Sequence, residues 1–177
     1  RSFLEWEEPK SFPKKTTSNI SRISKLLNRI KSSILNENEC QHVFRMLGIN
    51  QAKSAFITET SEAETAAEKI GFPLAVKVVS SGIPHKTEAG GIELGIKDVH
   101  DLKASIERIK QRVLKKFKNP KVDGFLIQRM ETGLAEILVG FRVDEIVGPT
   151  IVVGSGGIMS EIYEDAAVRL APVTEKI

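Results

Sequence analysis

The sequence predicts an α/β or α+β protein built from two small lobes. Its 177 residues suffice for one medium domain or two small ones. Helical patterns alternate with apolar strands up to residue 118, and strands dominate after it. A hydrophobic fraction of 41% and a charged fraction of 28% are typical of folded globular proteins, which excludes disordered and collagen-like chains.

The N-terminal part predicts a linker followed by two helices. Residues 1–19 mix charged residues with prolines and a Thr-Thr-Ser run, a composition typical of an interdomain linker. Residues 20–35 carry apolar side chains at helical spacing. Residues 38–47 predict a second helix, which ends at Gly48 because glycine commonly terminates helices.

The first lobe is predicted to cover residues 20–121, including these two helices. Its other elements are a strand over 54–58, a helix over 61–70, strands over 74–79 and 92–96, and a helix over 98–116. The helix after the first strand opens with Ser61 and Glu64, which have the spacing of a capping box.

The second lobe is predicted over residues 122–177 and consists mainly of strands. These strands cover 124–130, 136–143 and 149–153. The longest apolar runs of the chain are far shorter than the roughly 20 residues that cross a bilayer. We therefore expect no transmembrane helix.

Charge and cysteine content exclude several classes of function. The chain has 26 Lys and Arg against 23 Asp and Glu, and its basic patches lack the interleaved aromatics on which nucleic-acid bases stack. Cys40 is the one cysteine, so the chain has no internal disulfide, and three scattered histidines do not complete a zinc site. These features predict a cytoplasmic protein that binds neither nucleic acid nor a membrane.

One lysine and one loop have the chemistry that holds phosphate groups. Lys77 interrupts an apolar strand, where an ammonium must point into a cleft or meet an anion, unless it faces outward from a half-exposed strand. The loop that follows contains His85 and Lys86, a nucleophilic nitrogen and a positive charge, although a loop histidine is often only a surface residue. Gly90 and Gly91 free the backbone of this loop to bring N–H groups toward an anion.

A second glycine-rich turn is followed by carboxylates. Ser155, Gly156 and Gly157 come after the last predicted strand, without the Gly-Lys-Ser/Thr of a nucleotide-binding P-loop. Glu161 and Asp165 follow, and Mg²⁺ binds through one or two carboxylates together with substrate phosphates. A charged turn is the alternative interpretation. Further along, Arg169 lies in an apolar setting and adds a partner for an anion.

The order of these motifs resembles one protein family. The segments that carry the resemblance are 71–77, 85–91, 128–130, 136–140 and 154–172. They are similar to the ATP-grasp domain of the ADP-forming acyl-CoA (acetyl-CoA) synthetases, relatives of the succinyl-CoA synthetase β subunit. The resemblance implies an ATP-grasp fold with a nucleotide cleft between two lobes. It also implies that the chain is C-terminally truncated, because the family's domain continues for several more elements.

The resemblance implies a role for each motif. The implied ATP-binding residues are Lys77, Lys86, Gly90, Gly91, Gln128, Arg129, Met130, Glu136, Ser155, Gly156, Gly157 and Arg169. Glu161 and Asp165 are the implied Mg²⁺ ligands. His85 is the implied catalytic residue, which receives a phosphoryl group from a phosphohistidine on the CoA-ligase part and passes it to ADP. Arg129 departs from the family, which often has a glutamate there.

The implied function is the nucleotide-binding, phosphoryl-transfer part of an ADP-forming acid–CoA ligase (acyl-CoA + ADP + phosphate ⇌ acid + CoA + ATP). Its partners are CoA-binding and CoA-ligase domains, fused or in a separate subunit, so the fragment alone is expected to be inactive. One alternative is a non-catalytic nucleotide- or acyl-CoA-sensing module of a protein acetyltransferase, although retention of His85, Glu161 and Asp165 favours activity. Another is an ATP-grasp carboxylate–amine ligase, against which the His85–Lys86 loop argues.

Overall fold

The computed structural model describes residues 17–30, 34–80, 83, 89–118, 120–157 and 166–173. The helices are α1 (Thr17–Arg29), α2 (Glu37–Met46), α3 (Ala63–Ile70) and α4 (Val99–Lys116). The strands are β1 (Ser54–Ile57), β2 (Leu74–Val79), β3 (Ile92–Ile96), β4 (Gly124–Arg129), β5 (Ile137–Asp144), β6 (Gly148–Ser155) and β7 (Ala166–Leu170). The chain forms two compact units that divide after Glu131, here named the N-terminal and the C-terminal unit.

The N-terminal unit is built on a four-stranded antiparallel sheet in the order β1-β4-β2-β3. β4 is the last of these four strands along the chain, yet it lies in the sheet between β1 and β2. The unit therefore extends past β4, whereas the sequence placed the lobe boundary after residue 121. The predicted assignment of functional domains, including the linker over 1–19, stays a prediction.

One face of this sheet packs against α3 and α4 to form the core. The alternation of side chains along β2 and β4 sends Val76, Val78, Phe125 and Ile127 to that face, where they are buried. The apolar stripe of α4 meets them and is fully buried; it consists of Leu102, Ile106, Ile109 and Val113. Each such side chain contributes about 1.5–3 kcal/mol by leaving water. The core thus fixes the register of β2, the strand that carries Lys77.

The predicted helices and strands are present in the structure. The predicted capping box at the start of α3 is wrong, and one strand was missed. The first helix covers Thr17–Arg29 instead of 20–35. A 3₁₀ turn over Thr60–Glu62 precedes α3, so Ser61 lies inside that turn and no side chain caps α3. Glu62 stabilises the turn instead, because its Oε2 accepts the backbone N–H groups of Thr58 and Glu59 at 2.9 and 3.0 Å. β7 was not predicted.

The C-terminal unit contains a three-stranded antiparallel sheet in the order β5-β6-β7. β5 and β6 form a hairpin whose turn is held by Asp144, since its Oδ1 accepts the N–H groups of Ile146 and Val147 at 3.0 and 3.2 Å. These backbone hydrogen bonds lower the pKa of Asp144. The apolar side chains of β5 stay exposed. Within the described ranges, no helix is long and apolar enough to cross a membrane.

Candidate functional site

Lys77 lies on the face of the N-terminal sheet that does not form the core. It is the one half-buried residue of β2, whose other five residues are buried. Its neighbours across the strands are Leu126 in β4 and Ile92 in β3. Because side chains alternate along a strand, Lys77 points away from the core residues on either side of it.

Two side chains hold the ammonium of Lys77. Its Nζ donates to Oε1 of Glu37 at 2.8 Å and to Oε1 of Gln128 at 3.1 Å. Gln128 lies diagonally across from Lys77 on β4, which puts both on the same face. The side chains of Lys77 and Glu37 keep 24% and 29% of their exposure. We name these three residues the Lys77 cluster; its ammonium is ion-paired, and about a quarter of the lysine side chain is exposed.

The position of Glu37 follows from the start of α2. Asn36 caps this helix, since its Oδ1 accepts the N–H of Glu39 while Oε2 of Glu39 accepts the N–H of Asn36, a reciprocal capping box. One turn later, Oε1 of Gln41 accepts the hydroxyl of Ser54 in β1 at 2.7 Å. Sequence reasoning missed Glu37 as a partner of Lys77; the Asn-x-x-Glu capping pattern was the available signal for where α2 begins.

The described end of the predicted phosphate loop is anchored beside Lys77. The carbonyl of Gly91 accepts the N–H of Val78 at 2.8 Å. Gly90 has a φ of +66°, and a Cβ there would lie 2.9 Å from Cδ of Arg112, so both the backbone and the packing require glycine. His85 and Lys86 lie outside the described residues.

Two arginines of α4 fix this end of the loop to β3. Arg108 and Arg112 form ion pairs with Glu93 at 3.0 and 2.7 Å. The hydrogen bond from Arg108 is the main reason that the pKa of Glu93 is lowered, against the effect of burial. Arg112 therefore packs on Gly90 and pairs with Glu93 at the same time.

The three residues of the predicted adenine strand do not share one environment. Gln128 belongs to the Lys77 cluster. Arg129 lies on the opposite face, where a Cβ on Gly71 would come within 2.6 Å of its Nη1. Met130 donates its N–H to the carbonyl of Pro73 at 2.9 Å, and its Sδ accepts the N–H of Gly95 at 3.0 Å. Of these three, the structure brings Gln128 to Lys77.

Glu136 and the second glycine-rich turn form a separate cluster in the C-terminal unit. The N–H of Gly156 donates to the carbonyl of Glu136 at 2.8 Å. A Cβ on Gly156 would lie 2.9 Å from the backbone of Glu136, and one on Gly157, whose φ is +64°, would overlap its carboxylate. Both positions require glycine because Glu136 packs on them. Glu136 and Ser155 also line an open depression of about 360 Å³.

The remaining predicted residues of the C-terminal unit are dispersed or undescribed. Arg169 lies on β7 opposite Ile151; it is exposed, and its Nη1 donates to the carbonyl of Val168 at 2.9 Å. Glu161 and Asp165 lie outside the described residues. Among the residues that are described, no group of three His, Cys, Asp or Glu side chains could hold a metal ion.

A larger depression of about 480 Å³ lies near the end of α2 and the start of β1. Its lining includes Arg45, Gln51, Lys53 and Lys69 but none of the residues predicted to bind nucleotide. Predicted binding residues that are described form two groups, each taken by itself: the Lys77 cluster in the N-terminal unit, and Glu136 with its glycine-rich turn in the C-terminal unit.

The chain is similar to a known domain family and to several CoA ligases. The ATP-grasp domain family matches residues 26–177. The chain is 33% identical to the ADP-forming 4-hydroxybutyrate–CoA ligase of Nitrosopumilus maritimus, over 98% of this chain and 26% of that protein. It is 34% identical to the β subunit of the ADP-forming acetate–CoA ligase II of Pyrococcus furiosus, over 79% of this chain and 59% of that subunit.

A solved structure shares the fold. The dinucleotide-forming acetyl-coenzyme A synthetase 1 of Ca. Korarchaeum cryptofilum, in complex with coenzyme A, Ca-AMPCP and HgCl⁺, superposes with a TM-score of 0.78 at 25% identity. The match covers 89% of this chain and 68% of that one. The chain thus spans about a quarter of the Nitrosopumilus ligase and just over half of the Pyrococcus β subunit.

Proposed function

The chain belongs to the ATP-grasp domain family, and from that premise we propose that it is the nucleotide-binding and phosphoryl-transfer part of an ADP-forming acid–CoA ligase. The whole enzyme would catalyse acyl-CoA + ADP + phosphate ⇌ acid + CoA + ATP. The observation that carries the proposal is the Lys77 cluster, an ion-paired ammonium on a partly exposed side chain beside the anchored end of a loop at Gly90 and Gly91. The reaction class comes from the relatives, which include ADP-forming 4-hydroxybutyrate–CoA and acetate–CoA ligases.

Binding of the nucleotide is assigned to the two clusters and their neighbours. An ammonium and glycine-rich backbone are suited to phosphate oxygens. The proposed phosphate-binding residues are Lys77, Lys86, Gly90, Gly91, Ser155, Gly156, Gly157 and Arg169. Gln128, Arg129 and Met130 form the strand beside the adenine, and Glu136 contacts the ribose or the adenine edge. Binding of Ca-AMPCP by the Korarchaeum relative supports a nucleotide in this fold.

Glu161 and Asp165 are the proposed Mg²⁺ ligands. Their carboxylate oxygens are the hard donors that Mg²⁺ prefers, so the donor chemistry fits the ion. They follow a turn in which Gly156 lies against the backbone of Glu136 and Gly157 against its carboxylate. When bound, Mg²⁺ neutralises negative charge on the phosphates of the nucleotide.

His85 is the proposed phosphoryl acceptor. One of its ring nitrogens attacks the phosphorus carried by a phosphohistidine of the CoA-ligase part, and the P–N bond to that donor histidine breaks. A β-phosphate oxygen of ADP then attacks the same phosphorus, which releases His85 and forms ATP. The charge of Lys86 stabilises the transferring group. The proposed partners are CoA-binding and CoA-ligase domains, fused or in a separate subunit, and the proposed compartment is the cytoplasm.

Thermal unfolding tests nucleotide binding. The midpoint temperature of thermal unfolding is measured with ADP or ATP, with and without Mg²⁺, for the wild type and for Lys77→Ala. Ligand at 100 times its dissociation constant stabilises the folded state by about 2.7 kcal/mol. We expect a Mg²⁺-assisted rise in the midpoint that Lys77→Ala abolishes. The matched control is Lys103→Ala, which breaks another ion pair of 2.8 Å, with Glu64. A wild type that shows no rise would overturn the proposal.

Labelling tests the role of His85. The chain is incubated together with its CoA-ligase partner, Mg²⁺ and ATP that carries a radioactive γ-phosphate, and we expect an acid-labile, alkali-stable label that His85→Ala removes. His100→Ala, a change in the first turn of α4, should leave it intact. Binding of nucleotide without any label on His85 would favour the sensing module of an acetyltransferase over the ligase.

A further inference from the structure

We propose that Glu37 is a positioning residue that holds the phosphate-binding ammonium of Lys77 in place. Sequence reasoning did not single out Glu37. In this role Glu37 does not contact the nucleotide and acts on it only by holding Lys77. The inference rests on the proposed nucleotide site and adds to it the first turn of α2.

The contacts of Lys77 show how the ammonium is held. A lysine ammonium has three N–H donors on a long side chain with four rotatable bonds. Among the described residues, Glu37 and Gln128 accept two of those donors, at 2.8 and 3.1 Å. One acceptor comes from a helix and the other from the neighbouring strand, so Nζ is fixed between two directions. The inference assigns the third donor to a ligand oxygen.

Glu37 is itself held rigidly. It is the first residue of α2, and the reciprocal hydrogen bonds of Asn36 and Glu39 fix the helical turn that it starts. A carboxylate at this end of a helix is also favoured by the helix dipole. The bond between Gln41 and Ser54 ties the next turn to β1. The anchor of Lys77 is therefore a capped helix end joined to the same sheet as Lys77 itself.

The charge of Lys77 also needs a partner before any phosphate arrives. Its side chain is three-quarters removed from solvent, and an ammonium in such a position is unfavourable without an anion or hydrogen-bond acceptors. Glu37 supplies the anion and Gln128 supplies a neutral acceptor. Lys77 is thereby held between these two acceptors and need not lose side-chain freedom when the phosphate binds.

Glu37 could instead compete with phosphate for Lys77, and this alternative predicts the opposite change in nucleotide affinity. If its carboxylate merely competed with phosphate for Lys77, its removal would tighten nucleotide binding. If it positions Lys77, its removal weakens binding, and a glutamine that keeps the accepting oxygen restores most of the affinity. The sign of the change in dissociation constant therefore separates the two roles.

Calorimetric titration of the 177-residue chain with Mg²⁺–ADP tests the inference. We expect Glu37→Ala to raise the dissociation constant about tenfold, which corresponds to about 1.4 kcal/mol, and Glu37→Gln to stay within about threefold of the wild type. The matched controls are Glu64→Ala and Glu64→Gln, which alter the ion pair with Lys103 at the same N···O distance of 2.8 Å. Both controls should bind Mg²⁺–ADP like the wild type.

Two further measurements separate positioning from a structural effect. Unliganded Glu37→Ala should unfold at the same midpoint as Glu64→Ala, within about 2 °C, because both lose one ion pair that is partly exposed to solvent. The NMR signal of the Lys77 ammonium should be visible in the wild type, where hydrogen bonds slow proton exchange, and should broaden in Glu37→Ala but not in Glu37→Gln.

The outcomes distinguish this inference from the proposed function. A wild type that binds Mg²⁺–ADP through Lys77, combined with a Glu37→Ala variant of equal or higher affinity, overturns the positioning role alone. A wild type that does not bind Mg²⁺–ADP overturns both. Weak binding by Glu37→Ala that glutamine does not rescue would also count against positioning through the accepting oxygen.

Discussion

The two units of the chain use their apolar residues in different ways. In the N-terminal unit, every member of the buried apolar cluster lies between Ile57 and Ile127, and α3 and α4 cover one face of the sheet. In the C-terminal unit, the apolar residues of β5 remain 54–70% exposed, and Thr150 is the one residue that is buried among those described.

The sequence patterns of the strands explain this difference. β4 presents alternate residues to the helices, and its other face receives the Lys77 cluster. β5 begins with three consecutive apolar residues, Ile137, Leu138 and Val139, so both of its faces are apolar. Such a strand is typical of sheets covered on both sides, and three strands alone do not provide that cover. The N-terminal unit therefore carries the core that stabilises the described fold.

The largest expected effect is a direct test of this contrast with one residue type. Leu102→Ala removes a fully buried side chain from α4 and should lower the free energy of unfolding by about 2–5 kcal/mol. Leu138→Ala removes a side chain that is 54% exposed and should change it by about 0.5 kcal/mol. Urea denaturation measures both. Equal losses for the two variants would mean that the C-terminal sheet is as well packed as the core.

The next effect tests whether the C-terminal unit is nevertheless specific at its glycine-rich turn. Gly157→Ala strains a positive φ and pushes against the carboxylate of Glu136. Gly148→Ala, at a φ of +80° with no atom near its Cβ, carries the backbone strain alone. We expect about 1 kcal/mol of destabilisation for Gly148→Ala and up to about 3 kcal/mol for Gly157→Ala.

Nucleotide affinity sharpens the same comparison between the two glycines. Under the proposed function, only Gly157→Ala should raise the dissociation constant of Mg²⁺–ADP, since it displaces Glu136. Calorimetric titration of both variants gives that value. Equal affinity of the two variants would show that the packing of Glu136 on Gly157 is structural and plays no part in binding.

Local sequence patterns predicted most helices and strands, but they did not predict which distant residues pair with one another. α4 was predicted over 98–116 and found at Val99–Lys116, because its apolar stripe is long and regular. β7 is short and mostly exposed, so its sequence shows no alternation of buried and exposed residues from which a strand could be predicted. The place of β4 between β1 and β2 depends on strand pairing over many residues, which the order of elements along the chain does not reveal.

The candidate site divides in the same way. The turn at Gly156 and Gly157 follows β6 as expected, because a glycine-rich turn is a local signal, while the part of these glycines in nucleotide binding stays a prediction. The partner of Lys77 was not found, because Glu37 lies 40 residues earlier and belongs to a helix whose link to the sheet, such as the bond between Gln41 and Ser54, is not a local pattern. The separation of Gln128 from Arg129 could have been predicted, since neighbouring residues of a strand point to opposite faces.

The smallest expected effect compares an acidic residue of each unit. Arg108 and then Arg112 hold the pKa of Glu93 below its ordinary value, and turn N–H groups do the same for Asp144. A carboxyl whose folded-state pKa is lowered stabilises the fold at neutral pH, and that stabilisation is lost as the pH falls through the lowered pKa. Glu93 ties β3 to α4 in the unit that carries the core, whereas Asp144 acts within one hairpin turn.

We therefore expect the loss of stability below about pH 4 to depend more on Glu93 than on Asp144. Glu93→Gln should lower the free energy of unfolding at pH 7 by at most about 1 kcal/mol, because solvent screens the half-exposed Arg108, and should make its fall with acid shallower. Asp144→Asn should leave the acid profile close to that of the wild type. Urea denaturation between about pH 2.5 and 7, roughly the range in which carboxyl groups titrate, measures the free energy of unfolding of each variant. If Asp144→Asn flattened the profile more than Glu93→Gln, the hairpin would govern acid stability, and the contrast between the two units would fail for electrostatics even where it holds for the apolar core.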